Sequence, residues 1–437
     1  MEILVIPGIL LLMIVVFLGL GVWVFAGLLL VGATGLAFLI DMPMTRIGTI
    51  MAPLVIRSAT SWELSAIPMF IWMGEIMLRT DISDRLFRGL SPLTYYLPGR
   101  LLHTNILGSV IFAAVSGSSA ATTATVGKIT TTELARRNYS KSLTYGSLAG
   151  AGSLGLLIPP SIVMIVYGVL AEVSIARLFA AGVVPGILIA GLYSAYIMIV
   201  SFFKPDIAPP DSDPPGFRDM LVGLGNLVPI SVLVVLILGT IYTGVATPSE
   251  AAAVGVTSTL LMTLVTGQMS AKVFFGSLTA SVNTSCMIAI ILIAAAFLST
   301  AMGFLHVPQD VAAAISALNL TPYGLMLVLA GFYILLGMFL EGISITVMSL
   351  PITLPLVIAA GFDPVWFGIF LVIMVELAQI TPPIGFNLFI IQGLTNTPIM
   401  KVAIAAFPFF LLMCVGTLLI TLFPEIALWL PNKLFDN

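Results

Sequence analysis

Charged side chains are scarce in this chain of 437 residues: Asp, Glu, Lys and Arg together make up 8% of it. A soluble protein carries about 25%, so the chain has too little charge to cover a water-facing surface. Cysteine and histidine occur twice each. Cys286 and Cys414 lie inside apolar segments and read as small buried hydrophobes, which argues against a disulfide framework or a metal site. His103 and His306 are far apart near segment ends and take no ligand role. Neither G-x-x-x-x-G-K-[ST] nor a dinucleotide fingerprint occurs. The chain therefore does not hydrolyse ATP by any recognisable means, and no enzymatic activity, cofactor or nucleic-acid partner is expected.

What is present is apolar. Hydrophobic residues make up 59% of the chain, mean hydropathy is +1.18, and segments of about 20 apolar residues recur throughout. A transmembrane β-barrel would instead alternate over roughly 10-residue segments. The expected fold class is an all-α polytopic membrane protein in the lipid bilayer. The N-terminus, MEILVIPGILLLMIVVFLGLG, has Glu2 as its one early charge. A signal peptide would carry a basic region there, so this reads as a retained first span.

Two stretches organise the rest. Val115–Pro160 is a small-polar cluster, SGSSAATTAT, followed by an apolar run broken at Pro159-Pro160; residues 339–383 echo it and end in ELAQITPPIGFN. The first unit, 1–203, reads as spans at 3–18, 22–40, 64–78 and 175–203, an amphipathic arm at 79–100, a re-entrant hairpin at about 101–135 and a broken crossing at about 141–171. Residues 204–218, KPDIAPPDSDPPGFR, form the one hydrophilic linker. The second unit, 219–437, repeats the plan: spans at 221–242, 249–266, 273–302 and 402–423, an arm at 305–320, a hairpin at about 323–357 and a broken helix at about 365–394. Pro159-Pro160 maps to Pro382-Pro383 (382 − 159 = 223), and Pro185 maps to Pro408 at the same offset (408 − 185 = 223).

Lys and Arg concentrate in cytoplasmic loops. With the first arm and the first hairpin's base inside, eleven of these residues fall inside, and only Arg46, Arg57, Arg177 and Lys433 fall outside; Lys128 sits in a hairpin limb. Five crossings per half then invert the second repeat relative to the first. The hairpins enter from opposite faces, and both termini lie outside.

Irregular backbone survives at membrane depth only where protein or a water-filled cavity satisfies it, and paired broken helices in two halves point to a transporter's binding site. Ser116, Gly117, Ser118, Ser119 and Thr122 supply hydroxyls and carbonyls at the first tip; Glu341, Gly342, Ser344 and Thr346 occupy the second. Gly150, Gly152, Ser153 and Pro159 form the first break, and Gln379, Thr381, Pro382 and Asn387 the second. Proline frees the carbonyl four residues before it, and hard cations prefer oxygen ligands. Small residues also let helices pack closely, and an interfacial or packed Glu is the plainer reading of Glu75, Glu250, Glu341 and Glu376. Of these intramembrane carboxylates, Glu341 is the one expected to be functional.

At SGSSAATTATVG and ITPPIGFNLF the sequence resembles the large membrane subunit of tripartite ATP-independent periplasmic (TRAP) transporters, over essentially the whole chain. The resemblance implies a sodium-coupled, elevator-type importer of an organic acid (a dicarboxylate, sugar acid or similar carboxylate) in a bacterial inner membrane. It implies a small four-helix membrane subunit, here a separate chain, and a periplasmic substrate-binding protein as partners. It places sodium and substrate between the tips and breaks, with Na+ at Ser118, Ser119, Gly152, Gly342 and Thr381. A proton-coupled transporter of the same fold and a non-coupled membrane scaffold are the rival readings. No Arg or Lys cluster sits at both tips to clamp a dicarboxylate, which leaves helix ends and backbone amides to hold it.

Overall fold

The computed structural model describes residues 5–209, 214–317, 321–338, 340–382 and 385–436. Parts of the expected linker and second arm, together with Phe339 and Pro383, lie outside that set. Among the described residues there are twenty α-helices and no strand. The first half contains α1 (Val5–Gly19), α2 (Val24–Leu39), α3 (Met44–Ala59), a 3-10 turn at Glu63–Ser65, α4 (Ala66–Leu78) and α5 (Ile82–Thr94). It continues through α6 (Leu102–Ser116), α7 (Ser119–Arg136), α8 (Lys141–Gly152), a 3-10 turn at Ser153–Gly155, α9 (Ile162–Leu170) and α10 (Ile175–Phe203). The second half contains α11 (Phe217–Tyr242), α12 (Pro248–Val265), α13 (Ala271–Phe304), α14 (Val307–Ala317) and α15 (Pro322–Gly337). After these come α16 (Gly342–Ala359), α17 (Pro364–Gln379), α18 (Phe386–Thr395), α19 (Ile399–Leu422) and α20 (Glu425–Phe435).

Local chemistry sets these boundaries. Gly117 ends α6 in the left-handed region, at φ 60°, where a side chain is disfavoured. Ser118 then opens α7, its Oγ accepting from the Ala121 N–H at 3.4 Å. Ser161 opens α9 by accepting from the Met164 N–H. Asp363 opens α17 by accepting from the N–H groups of Val365 and Trp366, with Pro364 at the first helical position. Helix starts keep nearly constant spacing between the halves: α7 and α16 differ by 342 − 119 = 223, and α8 and α17 by 364 − 141 = 223.

One interval departs from that register. The expected span 273–302 is α13, 34 residues long, or about 51 Å at 1.5 Å per residue. Its counterpart is the broken series α3, 3-10 turn, α4. Although α3 and α4 pack on α13, a cavity of about 310 Å³ opens beside the joint between them, lined among others by Ser61, Ser65, Ser285 and Cys286.

Among the described residues, six helices are long and apolar enough to cross a membrane: α10, α11, α12, α13, α16 and α19. α10 coincides with the expected span 175–203. α16 qualifies by length although it is the second limb of a hairpin; Pro351 and Pro355 interrupt its hydrogen-bond ladder. The hairpin α6–α7 packs on α8, and α15–α16 packs on α17. The halves interlock, with α18 against α7 and α9 against α16. α2 and α4 pack on α13, and α5 packs on α11, where Gly223 approaches so closely that a Cβ there would lie 2.8 Å from the Gly89 carbonyl. α11 buries only Gly223, Ile230, Leu233, Ile237 and Ile241, one stripe with the rest facing outward. α17 is the opposite: every residue from Val365 to Gln379 is buried, so it runs through the centre.

Two sets of loops gather at separate places. Tyr96, at the end of the first arm, donates to the Pro215 carbonyl at 2.8 Å, and the Ser140 N–H donates to the Ile207 carbonyl at 3.0 Å. The described parts of the linker thus touch both the arm and the hairpin base. Elsewhere Arg57 pairs with Glu172 at 3.5 Å, and Arg177 pairs with Asp436 at 2.6 Å.

Candidate functional site

Both hairpin tips and both breaks converge on α17. The first tip is Gly117-Ser118; Ala120 to Thr125 of the polar cluster lie within α7 rather than at the tip. Ser116 Oγ and Thr122 Oγ1 are 2.9 Å apart and buried. The Gly117 carbonyl accepts from the Ile162 N–H at 3.4 Å, tying the tip to the first break, where the Pro159-Pro160 bond is cis. The 3-10 turn wedges beneath the tip: a Cβ on Gly155 would stand 2.5 Å from Ser119 Cα. Gly152 lies against Thr123 Oγ1, a buried hydroxyl without a hydrogen-bond partner.

Glu376 joins the repeats. It lies in α17 with none of its surface exposed. Its Oε1 accepts from Ser119 Oγ–H at the first tip and from the Leu156 N–H in the first break at 2.7 Å. Its Oε2 is buried without a partner. Leu156 also reaches the second tip: a Cβ on Gly342 would lie 3.4 Å from Leu156 Cδ1 and 3.5 Å from Gln379 Nε2. Ser119, Leu156, Gly342, Glu376 and Gln379 therefore form one locus drawn from all four segments.

Other expected site residues are engaged differently. Glu341 is exposed and caps α16, accepting from the Ile343 and Ser344 N–H groups and from Ser344 Oγ–H, the ordinary work of an N-cap. Thr346 and Thr381 donate to carbonyls of their own turns, Gly342 and Leu377, and Ser153 donates to the Gly150 carbonyl. Gly150 faces Phe409 on α19. Pro159 is buried and Pro382 half-buried. Asn387 opens α18 fully buried, with neither amide atom hydrogen-bonded. Of the remaining carboxylates, Glu75 pairs with Arg79 and Glu250 forms a capping box with Thr247.

The signal for Glu376 was readable as the one charged residue within the run VWFGIFLVIMVELAQ, since a charge inside such a helix is expensive and functional by default. Glu341 carries a competing signal, since a hairpin tip looks polar whether it binds or caps.

The model of the tripartite ATP-independent periplasmic transporter DctM component matches residues 11–426. The chain is 34% identical to the C4-dicarboxylate TRAP transporter large permease protein of Pseudomonas aeruginosa, over 86% of this chain and 88% of that protein. It is 31% identical to the ectoine/5-hydroxyectoine TRAP transporter large permease protein of Ruegeria pomeroyi, over 86% and 87%. Its fold is similar to that of the YdaH transporter of Alcanivorax borkumensis, with TM-score 0.62 at 14% identity, covering 89% of this chain and 90% of that one. On this evidence the chain belongs to the TRAP transporter large permease family.

Proposed function

We propose that the chain is the membrane permease of a sodium-coupled importer of an organic acid. The acid is delivered by a periplasmic binding protein, and a small membrane subunit completes the assembly. The observation that carries this reading is the convergence of both hairpin tips and both breaks on Glu376 and Gly342. A passive scaffold has no use for two re-entrant hairpins meeting at two interrupted helices. The locus is rich in hydroxyl, carbonyl and carboxylate oxygens, which suits a hard cation, and interrupted helices bring N-termini that suit a carboxylate. Relatives named for C4-dicarboxylates and for ectoine support a small carboxylate as cargo.

The two halves are inverted repeats in this reading, with linker and first arm cytoplasmic and both termini periplasmic in a bacterial inner membrane. The hairpins, broken crossings and α17 move as one body against α2, α4, α5 and α11–α13. The test is uptake into proteoliposomes holding the permease and small subunit, with the binding protein outside and a panel of labelled C4-dicarboxylates, sugar acids and ectoine. Uptake of at least one compound should require an inward sodium gradient. Uptake at full rate in potassium, or driven only by a proton gradient, would overturn sodium coupling.

A further inference from the structure

We propose that the Glu376 carboxylate is an anionic ligand for a coupling sodium ion, held where the first hairpin tip meets the second broken crossing. The inference rests on the sodium-coupled reading above and adds the charge that reading lacks, since the other expected ligands are all neutral. α17 is buried from Val365 to Gln379, and Glu376 is its one charged residue. A buried carboxylate is strongly unfavourable unless paired and hydrogen-bonded. Glu376 is half provided for. Oε1 accepts from Ser119 and Leu156, whereas Oε2 has no partner, and no lysine, arginine or histidine among the described residues pairs with it.

Two further oxygens lie in the same predicament. Thr123 Oγ1 and Asn387 Oδ1 are fully buried without partners, and they belong to α7 and α18, which pack on one another. Orphaned polar atoms are few in folded proteins and call for a cause. Glu376 Oε2 and Thr123 Oγ1 are oxygens, Asn387 leaves both its oxygen and its amide N–H unpaired, and the Glu376 charge excludes an anion as its partner. The Glu376 charge is single, so one monovalent cation neutralises it, while a divalent ion would leave a net positive charge in an apolar interior. Neutrality matters for a body that moves through a bilayer, because a bare buried charge is expensive at membrane depth. The ligand also links the repeats: Glu376 comes from the second, and the groups holding it come from the tip and break of the first. Ion occupancy would therefore set how firmly the first hairpin is pinned.

The experiment is thermal unfolding of the purified full chain in detergent, in NaCl against KCl and choline chloride at equal ionic strength, joined to binding of radioactive sodium. Ligand binding raises the melting temperature by mass action, so the wild type should melt higher in NaCl. Glu376→Gln should lose the sodium-specific rise and bind sodium about tenfold more weakly or worse, the effect of about 1.4 kcal/mol, while melting close to wild type in KCl. Glu376→Asp keeps the charge and should retain a reduced response; it also serves if the glutamine variant does not fold. A glutamine variant with the full sodium rise overturns the proposal, as does an aspartate variant with unaltered sodium affinity. So does a variant whose sodium response is intact while the pH profile of uptake flattens, since the group would then carry a proton. A wild type without any sodium response would instead bring down the sodium-coupled reading itself.

Discussion

Ser119→Ala would leave Glu376 Oε1 with the Leu156 N–H as its one remaining donor. Removing one partner of a buried charged group costs about 1–3 kcal/mol, so this variant should melt lower and respond more weakly to sodium. Thr381→Ala should be nearly silent in a melt, because the Thr381 hydroxyl serves its own helix through the Leu377 carbonyl; a large drop in its sodium response would return that hydroxyl to the ion site. These two substitutions looked alike in sequence, where both are small hydroxyls in polar clusters beside broken helices. What separates them is which way each hydroxyl points, and local spacing does not carry that information. For Glu250 the local sequence does carry the partner, since T-P-S-E spells the capping box that Thr247 and Glu250 form.

Among the elements, the hairpins and breaks were legible because their punctuation is chemical: a glycine that must take a positive φ, serines that cap, and proline pairs that end a ladder. The exact tip was less so. The run SGSSAATTAT looks uniformly polar, yet all but its first three residues lie in α7; further along that helix Thr130 and Thr131 donate back to carbonyls a turn earlier. The 3-10 turn under the tip gives the sharpest test of this packing. Gly155→Ala places a methyl against the Ser119 backbone and should cost about 1–3 kcal/mol, seen as a lower melting temperature together with loss of uptake. At the far end, α20 is tied to α10 by Arg177, which donates to Asp436 and Asn432. That guanidinium holds the Asp436 carboxyl below the ordinary aspartate range. A carboxyl that titrates lower when folded stabilises above its unfolded value, about 3.9, and the tie is lost as pH falls through the lower folded value. Asp436→Asn should therefore melt lower than wild type near neutrality, and the gap should close from about pH 4 downward; a gap independent of pH would assign the effect to packing.

At the scale of the whole molecule, charge placement and tertiary contact can be set side by side. The arm, hairpin base and linker, all expected on the cytoplasmic face from their Lys and Arg, touch through Tyr96–Pro215 and Ser140–Ile207. Arg57 and Arg177, expected on the other face, pair with Glu172 and Asp436. A cysteine introduced at Pro215 should be labelled only after the membrane is permeabilised, and one at Asp436 should be labelled directly by an impermeant reagent from the periplasmic side. Labelling of both from one side would end the inverted-repeat account. The spacing of 223 seen at Pro159-Pro160 and Pro185 recurs in the helix starts of α7 and α8 against α16 and α17; what such spacing does not carry is how two sequence-distant breaks meet at a single carboxylate.

Returning to the long rod α13, its counterpart is jointed where the rod is straight. On the inverted-repeat reading proposed above, each half would adopt the other's outline during a transport cycle. The joint of the first half, Thr60–Ser65, shifted by 223 falls on Asn283–Ile288, a stretch with a polar run, Asn-Thr-Ser, and a buried, unpartnered Ser285 hydroxyl. On that reading, residues 283–288 are where α13 would bend, with the neighbouring cavity as the room it would need. Backbone amides at 283–288 should exchange faster, and Cys286 should change its rate of alkylation, when cargo and sodium drive turnover. Exchange there as slow as in the rest of α13 throughout turnover would mean that the two halves never trade outlines, and that the motion is confined to the hairpins.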